Sequence, residues 1–489
     1  MDYKQPLSDR RTFSATAPEA GHASAPLWSW GAADLAKAIK RGDISSREAT
    51  ISALERLAAV NPKVNAVAEV LTDEALAAAD RADAAVLKGE TLGILHGVPV
   101  TTKINVDMQG HATTNGVTAF KDMIAEQDSP PVRNFRRAGA VIIGRTNTPA
   151  FSFRWFTDND LHGRTYNPWD KERTPGGSSG GAASAVAVGI GALAHGNDIA
   201  GSVRYPAYVC GVPGLRPTYG RIPSIMGPGR GVCGAIMGVE GVMGRNIADV
   251  ALGLEALAQP DARDAWQVPA PLAMPGAGEP CKVALFSGGG KYRPEPGVAA
   301  ALASAARALT AAGYSVEEVE LPDFAEGQDL WSKLVINEFR ETLGAAALAL
   351  GDAPIKKKFE TWAGIVDPIT LTEFSIAISL REKIAAAWQI LMETYPVILM
   401  PNSWELAMTV DRDQGGADDI RKILDIQSPM LLPALLGMPG LSVPTGLSDG
   451  IPSGVQVVAG RFREDRCLAV GQVIESAHPM QTPIDPRGF

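Results

Sequence analysis

The chain has 489 residues, 46% of them hydrophobic, with 45 Lys and Arg against 54 Asp and Glu for a net charge of −9. That is enough apolar material for a large core, and it lacks the basic excess or stripe by which proteins grip nucleic acid through its phosphates. No uninterrupted apolar run of about 18 residues exists to span a membrane, and the polar start MDYKQPLSDRRTF does not read as a secretory signal, so a cytoplasmic protein is expected.

Residues 1–25 are polar and aperiodic and read as a tail. Ser45 and Glu48 form a capping box ahead of Ile51, Leu54, Leu57 and Val60, which predicts an amphipathic helix ending near Asn61-Pro62. A second helix is expected over 73–88. Val98 and Val100 alternate with their neighbours in a short strand leading to Lys103, and Val141–Ile143 is a second strand closed by Gly144. Ala-rich helices follow at about 181–194 and 247–258. Further strands are predicted at 282–286, 315–321 and 397–400, with a helix over 297–312 between the first two. Residues 324–425 read as a mostly helical insert. Strands alternating with helices point to an α/β protein with a mixed, largely buried central sheet. No repeat or low-complexity linker interrupts the chain, so one domain is expected from 26 to 489.

Two segments concentrate chemistry: TPGGSSGG at 174–181 and HGNDIAGSVRYP at 195–206. Glycines let backbone approach a ligand closely and reach dihedrals that other residues avoid. A phosphate cradle would need a Walker lysine or a dinucleotide-binding spacing, and neither is present. Ser287-Gly-Gly-Gly-Lys291 looks like a P-loop only until Tyr292, where Ser or Thr is required; it reads as a plain turn. A serine needs a base before it can attack an amide. His195 lies near Ser202 in sequence, but no G-x-S-x-G elbow or local pattern singles out a histidine. A lysine can serve if desolvation keeps it neutral. Lys103 stands among valines and an isoleucine in GVPVTTKINVD at 97–107, which makes it the best base candidate. No H-E-x-x-H or C-x-x-C spacing occurs, and neither metal nor organic cofactor is expected.

These motifs, with GMPGLSVPTG and GIPSGVQVVAG toward the C-terminus, resemble the amidase signature family from about residue 28 to 478. Ser178 and Ser202 stand 24 positions apart, the family's separation. The resemblance implies the amidase signature fold, a mixed central sheet covered by helices on both faces, with its signature core at about 91–260. It implies hydrolysis of a carboxamide C–N bond through a Ser–cisSer–Lys triad and an acyl-enzyme. Carried over by motif position, Ser202 is the nucleophile, Ser178 the bridging serine after a cis peptide bond, and Lys103 the base. The backbone N–H groups of Ile199, Ala200, Gly201 and Ser202 then face the oxyanion, and Asp198 and Arg204 brace the loop. Two positions depart from the commonest pattern: Asn197 stands where Thr is frequent and Ala200 where Gly is usual.

In such enzymes the stretch after Pro149 borders the acyl pocket. Phe151, Phe153, Trp155 and Phe156 would supply an aryl-accepting wall, although the same rings could pack a core. If the stretch is extended, alternation sends Phe151, Phe153 and Trp155 to one side. Ser152 and Ser179 are further substrate-contact candidates, and 225–238 and the helical insert would complete the wall. The expected partners are a small, hydrophobic or aryl amide and water, with neither nucleic acid nor membrane; a homodimer is allowed. A glutaminase component of a tRNA amidotransferase and a non-catalytic binding protein on this scaffold remain as alternatives.

Overall fold

The computed structural model describes residues 25–225 and 231–489; the expected tail at 1–25 lies, but for its last residue, outside them. Eleven strands among these residues form one sheet: β1 (Val67–Val70), β2 (Pro99–Lys103), β3 (Val141–Thr146), β4 (Leu193–Asp198), β5 (Gly214–Arg216), β6 (Val239–Gly244), β7 (Lys282–Leu285), β8 (Ser315–Glu318), β9 (Val397–Pro401), β10 (Gly440–Ser448) and β11 (Ile451–Ala459). Their order is β1-β3-β2-β4-β6-β5-β10-β11-β9-β7-β8. Strand β2 runs parallel to β3 and β4, and β7 runs parallel to β8 and β9; the remaining pairs are antiparallel.

The central strands are apolar on both faces because helices cover both. On β9, Val397 and Leu399 enter one core, and Ile398 and Met400 enter the other. Strand β6 divides likewise between Val242 and Met243. This period-2 partition explains why such strands read as continuous hydrophobic runs. One layer includes helices Ala32–Arg41, Ile247–Leu257, Pro296–Ala311 and Glu464–Ala477; the other includes Arg204–Cys210, Phe324–Thr342 and Ser428–Leu435. None of the described helices is long and apolar enough to cross a membrane.

The Ser45–Glu48 capping box is present, but its helix runs to Val64. Pro62 falls in the last turn, where the missing N–H costs a single hydrogen bond, and the Asn61 side chain accepts from the Ala66 and Val67 N–H groups to close the end. The helix expected over 181–194 stops at Ala187, and Leu193 and Ala194 instead open β4. The mostly helical stretch at 324–425 contains β9, which lies in the sheet between β11 and β7. Ser287–Lys291 is a turn closed by reciprocal Gly289–Tyr292 backbone bonds, and Lys291 pairs with Asp425.

Candidate active site

Parallel pairing of β2 with β4, registered at Thr101–Ala194, sets the carboxyl ends of these strands side by side. Lys103 is the last residue of β2, and Asn197 and Asp198 end β4. The loop before helix Gly180–Ala187 crosses these ends and carries Ser178. The Gly177–Ser178 peptide is cis. Gly177 has no room for a side chain, since a Cβ there would lie 2.3 Å from the Arg154 carbonyl oxygen.

Lys103 is 0% exposed. In its ammonium form Nζ donates to Ser178 Oγ at 2.7 Å and to Asn197 Oδ1 at 2.8 Å. Burial pulls its pKa down to about 7, against the opposing influence of Glu240 and Asp198. Asn197 and Asn105 form a reciprocal amide pair, and Asn105 Nδ2 donates to Ser152 Oγ at 3.0 Å. Ser152 Oγ in turn meets Thr148 Oγ1 and donates to Asn115 Oδ1. Asn197, visible in the sequence only as a departure, is thus a direct partner of the lysine. Asn105 escapes sequence reasoning, although it lies two positions beyond Lys103 in the same motif.

Ser202 is 8% exposed and opens, with Ser178, onto a cavity of about 460 Å³. Its loop is held from behind. Asp198 accepts from the N–H groups of Gly201 (2.9 Å) and Val203 (3.1 Å) and from the Arg204 guanidinium. Burial alone would raise the Asp198 carboxyl, but Arg204, Arg216 and the Gly201 N–H outweigh it and hold it well below the usual range. Gly201 has φ +92°, and a Cβ there would strike the Met430 side chain. Ala200 is not among the residues with left-handed backbone, so alanine fits where glycine is usual.

Each peptide of this loop is oriented through its carbonyl. Arg216 donates to the Asp198 oxygen (2.5 Å), Trp331 Nε1 to Ile199 (3.3 Å), Trp155 Nε1 to Ala200 (2.9 Å) and the Tyr205 N–H to Gly201 (2.7 Å). The N–H groups of Ile199, Ala200 and Ser202 have no acceptor among the described residues. Gly201 differs from the expectation: its N–H is taken by Asp198 and is not free to face an oxyanion.

His195 offers no base to Ser202. Its Nδ1 faces the Lys103 N–H at 3.4 Å and its Nε2 faces Glu240 at 2.9 Å, so both ring nitrogens are engaged elsewhere.

The 460 Å³ cavity is lined by Phe151, Ser152, Phe153, Ile225 and Gly234, and by Phe339 and Leu343 from helix Phe324–Thr342 and its C-terminal end. The alternation expected for 151–155 does not occur, because Phe151 and Ser152 both adopt left-handed φ, +57° and +55°, and the chain turns there. Phe153 packs against Phe339, Phe359 and Trp362. Trp155 lies behind the serine loop, and Phe156 is in the core. Ser179 is also not on the cavity. It is fully buried, its N–H bonds to the Ser202 carbonyl and its Oγ to the Asn197 carbonyl, so it ties the two motifs together. Residues 226–230 of the expected 225–238 wall lie outside the described residues. Among the described residues no three His, Cys, Asp or Glu side chains converge in a way that would hold a metal ion.

Residues 48–468 match the amidase family. The chain is 44% identical over 461 residues to an indoleacetamide hydrolase of Bradyrhizobium diazoefficiens, covering 92% of this chain and 87% of that one. It is 32% identical over 497 residues to a component of the glutamyl-tRNA(Gln) amidotransferase of Salinispora tropica, covering 94% and 99%. A bacterial aryl acylamidase of the amidase signature family superposes with a TM-score of 0.81 at 26% identity, covering 93% of this chain and 98% of that one. With a matching family over most of its length and the signature fold around its serine motifs, the chain belongs to the amidase signature family and is a hydrolase of amide C–N bonds.

Proposed function

We propose that the enzyme hydrolyses a neutral aryl-bearing carboxamide, of the indoleacetamide type, through Ser202, Ser178 and Lys103. The observation that carries this reading is a fully buried Lys103 whose Nζ meets Ser178 Oγ at 2.7 Å beside a cavity shared by Ser178 and Ser202. Neutral Lys103 accepts the Ser178 proton while Ser178 accepts the Ser202 proton, and Ser202 Oγ attacks the carbonyl carbon. The N–H groups of Ile199, Ala200 and Ser202, which have no acceptor among the described residues, receive the oxyanion. Preorganised donors of this kind are worth about 2.7–4 kcal/mol each when removed from other enzymes. Ser178 then protonates the leaving nitrogen and recovers its proton from Lys103. Water attacks the acyl-Ser202 ester along the reverse proton path and releases the acid.

The substrate class draws on the cavity and on the relative named for indoleacetamide. A space of about 460 Å³ suits a bicyclic ring and its side chain. Phe151, Phe153, Phe339 and Leu343 supply apolar wall, which favours aryl groups by about 25 cal/mol per Å² removed from water. Indole-3-acetamide and phenylacetamide should be far better substrates than acetamide. Phe153→Ala and Phe339→Ala should each raise KM for an aryl amide by about 10-fold or more and barely change it for acetamide. Equal responses, or acetamide as the preferred substrate, would return these rings to a packing role. Turnover by the purified chain alone separates this reading from a glutaminase component, which would need its complex. Because every proton transfer in the cycle uses a side chain, exhaustive chelation should leave kcat unchanged; a loss restored by added metal would contradict the cycle.

A further inference from the structure

We infer that Trp331 and Trp155 are positioning residues for the oxyanion loop, their indole N–H groups setting the peptide planes that aim the Ala200 N–H. The inference rests on the proposed serine mechanism and extends it to residues outside both serine motifs.

A trans peptide is planar, so its carbonyl oxygen and the following N–H lie on opposite edges. Fixing one edge aims the other. Trp331 Nε1 holds the Ile199 oxygen at 3.3 Å, and the opposite edge of that peptide is the Ala200 N–H, which has no acceptor among the described residues. Trp155 Nε1 holds the Ala200 oxygen at 2.9 Å, and the opposite edge of that peptide is the Gly201 N–H, bound to Asp198 Oδ1 at 2.9 Å. The Ala200–Gly201 peptide is therefore clamped on both edges. The Ile199–Ala200 peptide is held on its carbonyl edge alone, which leaves a directed donor.

The two indoles are themselves fixed. Trp331 sits on helix Phe324–Thr342 and is 1% exposed. Trp155 lies under the buried Lys358, whose Nζ is 5.4 Å from the Trp155 ring, 4.8 Å from Phe153 and 4.4 Å from Trp362, and donates to the Phe153 carbonyl. Buried among these three rings and bonded to the Phe153 carbonyl, the Lys358 side chain fills the space into which any of them could shift. The space between these groups and Ser202 is about 30 Å³, too small for an aromatic ring. The indoles therefore do not form a substrate wall, and what they offer the site is hydrogen bonding to its backbone.

Replacing Trp331 by 3-benzothienylalanine keeps the ring shape and puts sulfur in place of the N–H; Trp331→Phe is the simpler companion. The expected result is a fall in kcat for phenylacetamide of about 10- to 100-fold with KM nearly constant. Affinity for phenylmethylboronic acid, which forms a tetrahedral adduct on the serine, should fall in parallel, while affinity for phenylacetate stays unchanged. The same replacement at Trp155 should act in the same direction. An unchanged kcat in the isosteric variant, or a rise in KM with kcat intact, would overturn the inference. Ser202→Ala, measured alongside, separates the two levels. Retained turnover there defeats the serine mechanism itself, whereas a dead Ser202→Ala enzyme with a fully active Trp331 isostere defeats only the positioning role.

Discussion

Ser202→Ala is expected to lower amide turnover by at least about 10⁴-fold, the scale seen when serine hydrolases lose their nucleophile. The loss should be in chemistry rather than in folding. The Ser202 side chain is small, and the loop is held by backbone and neighbouring groups that the substitution leaves alone: Asp198 to the Gly201 and Val203 N–H groups, Tyr205 N–H to the Gly201 carbonyl, and Ser179 N–H to the Ser202 carbonyl. Thermal unfolding should therefore move by no more than a few degrees, since a change of about 1 kcal/mol shifts the midpoint of a domain of about 150–250 residues by about 2–4 °C and that of a larger one by less. A fluorophosphonate probe should label the wild-type enzyme and not the variant. Near-normal turnover in the variant would place the nucleophile elsewhere.

Lys103→Ala should cost amide hydrolysis about 10³- to 10⁴-fold, because it removes the terminal proton acceptor of the proposed relay. An activated aryl ester needs little leaving-group protonation, so its loss should be about 10-fold smaller than that for the amide. The pH dependence has a definite sign. Burial lowers the lysine to about 7, and the proposed cycle needs the neutral amine, so kcat/KM should rise from acid pH and level off above a midpoint near 7. The rising limb should vanish from the residual activity of Lys103→Ala. Equal losses on amide and ester, or a profile that falls through neutrality, would contradict this role.

Much of this site is legible in the sequence because its signals are local. The strand at 98–103 and its terminal lysine appear as an apolar run with a charge at its end, and the serine motifs carry glycines that closely packed backbone requires, as at Gly177 and Gly201. What escapes such reading depends on distant contacts or on backbone that composition does not signal. The turn at Phe151 and Ser152 uses left-handed φ at residues that are neither Gly nor Asn, so extended alternation is the natural but wrong expectation. Strand β4 begins in an Ala-rich run that reads as helix until parallel pairing with β2 decides it. Strand β6 carries two glycines in six residues, which obscures its apolar pattern. Trp331 and Lys358 reach the site from helices more than 120 residues beyond Ser202, and no local spacing marks them.

The acyl-enzyme tests the central claim most directly. Rapid acid quenching during turnover of a p-nitrophenyl arylacetate, followed by intact-mass and peptide mapping, should show one acyl group per chain on the peptide containing Ser202. The adduct should be absent from Ser202→Ala. An adduct on another residue, or turnover with no adduct together with an intact rate in Ser202→Ala, would contradict the account.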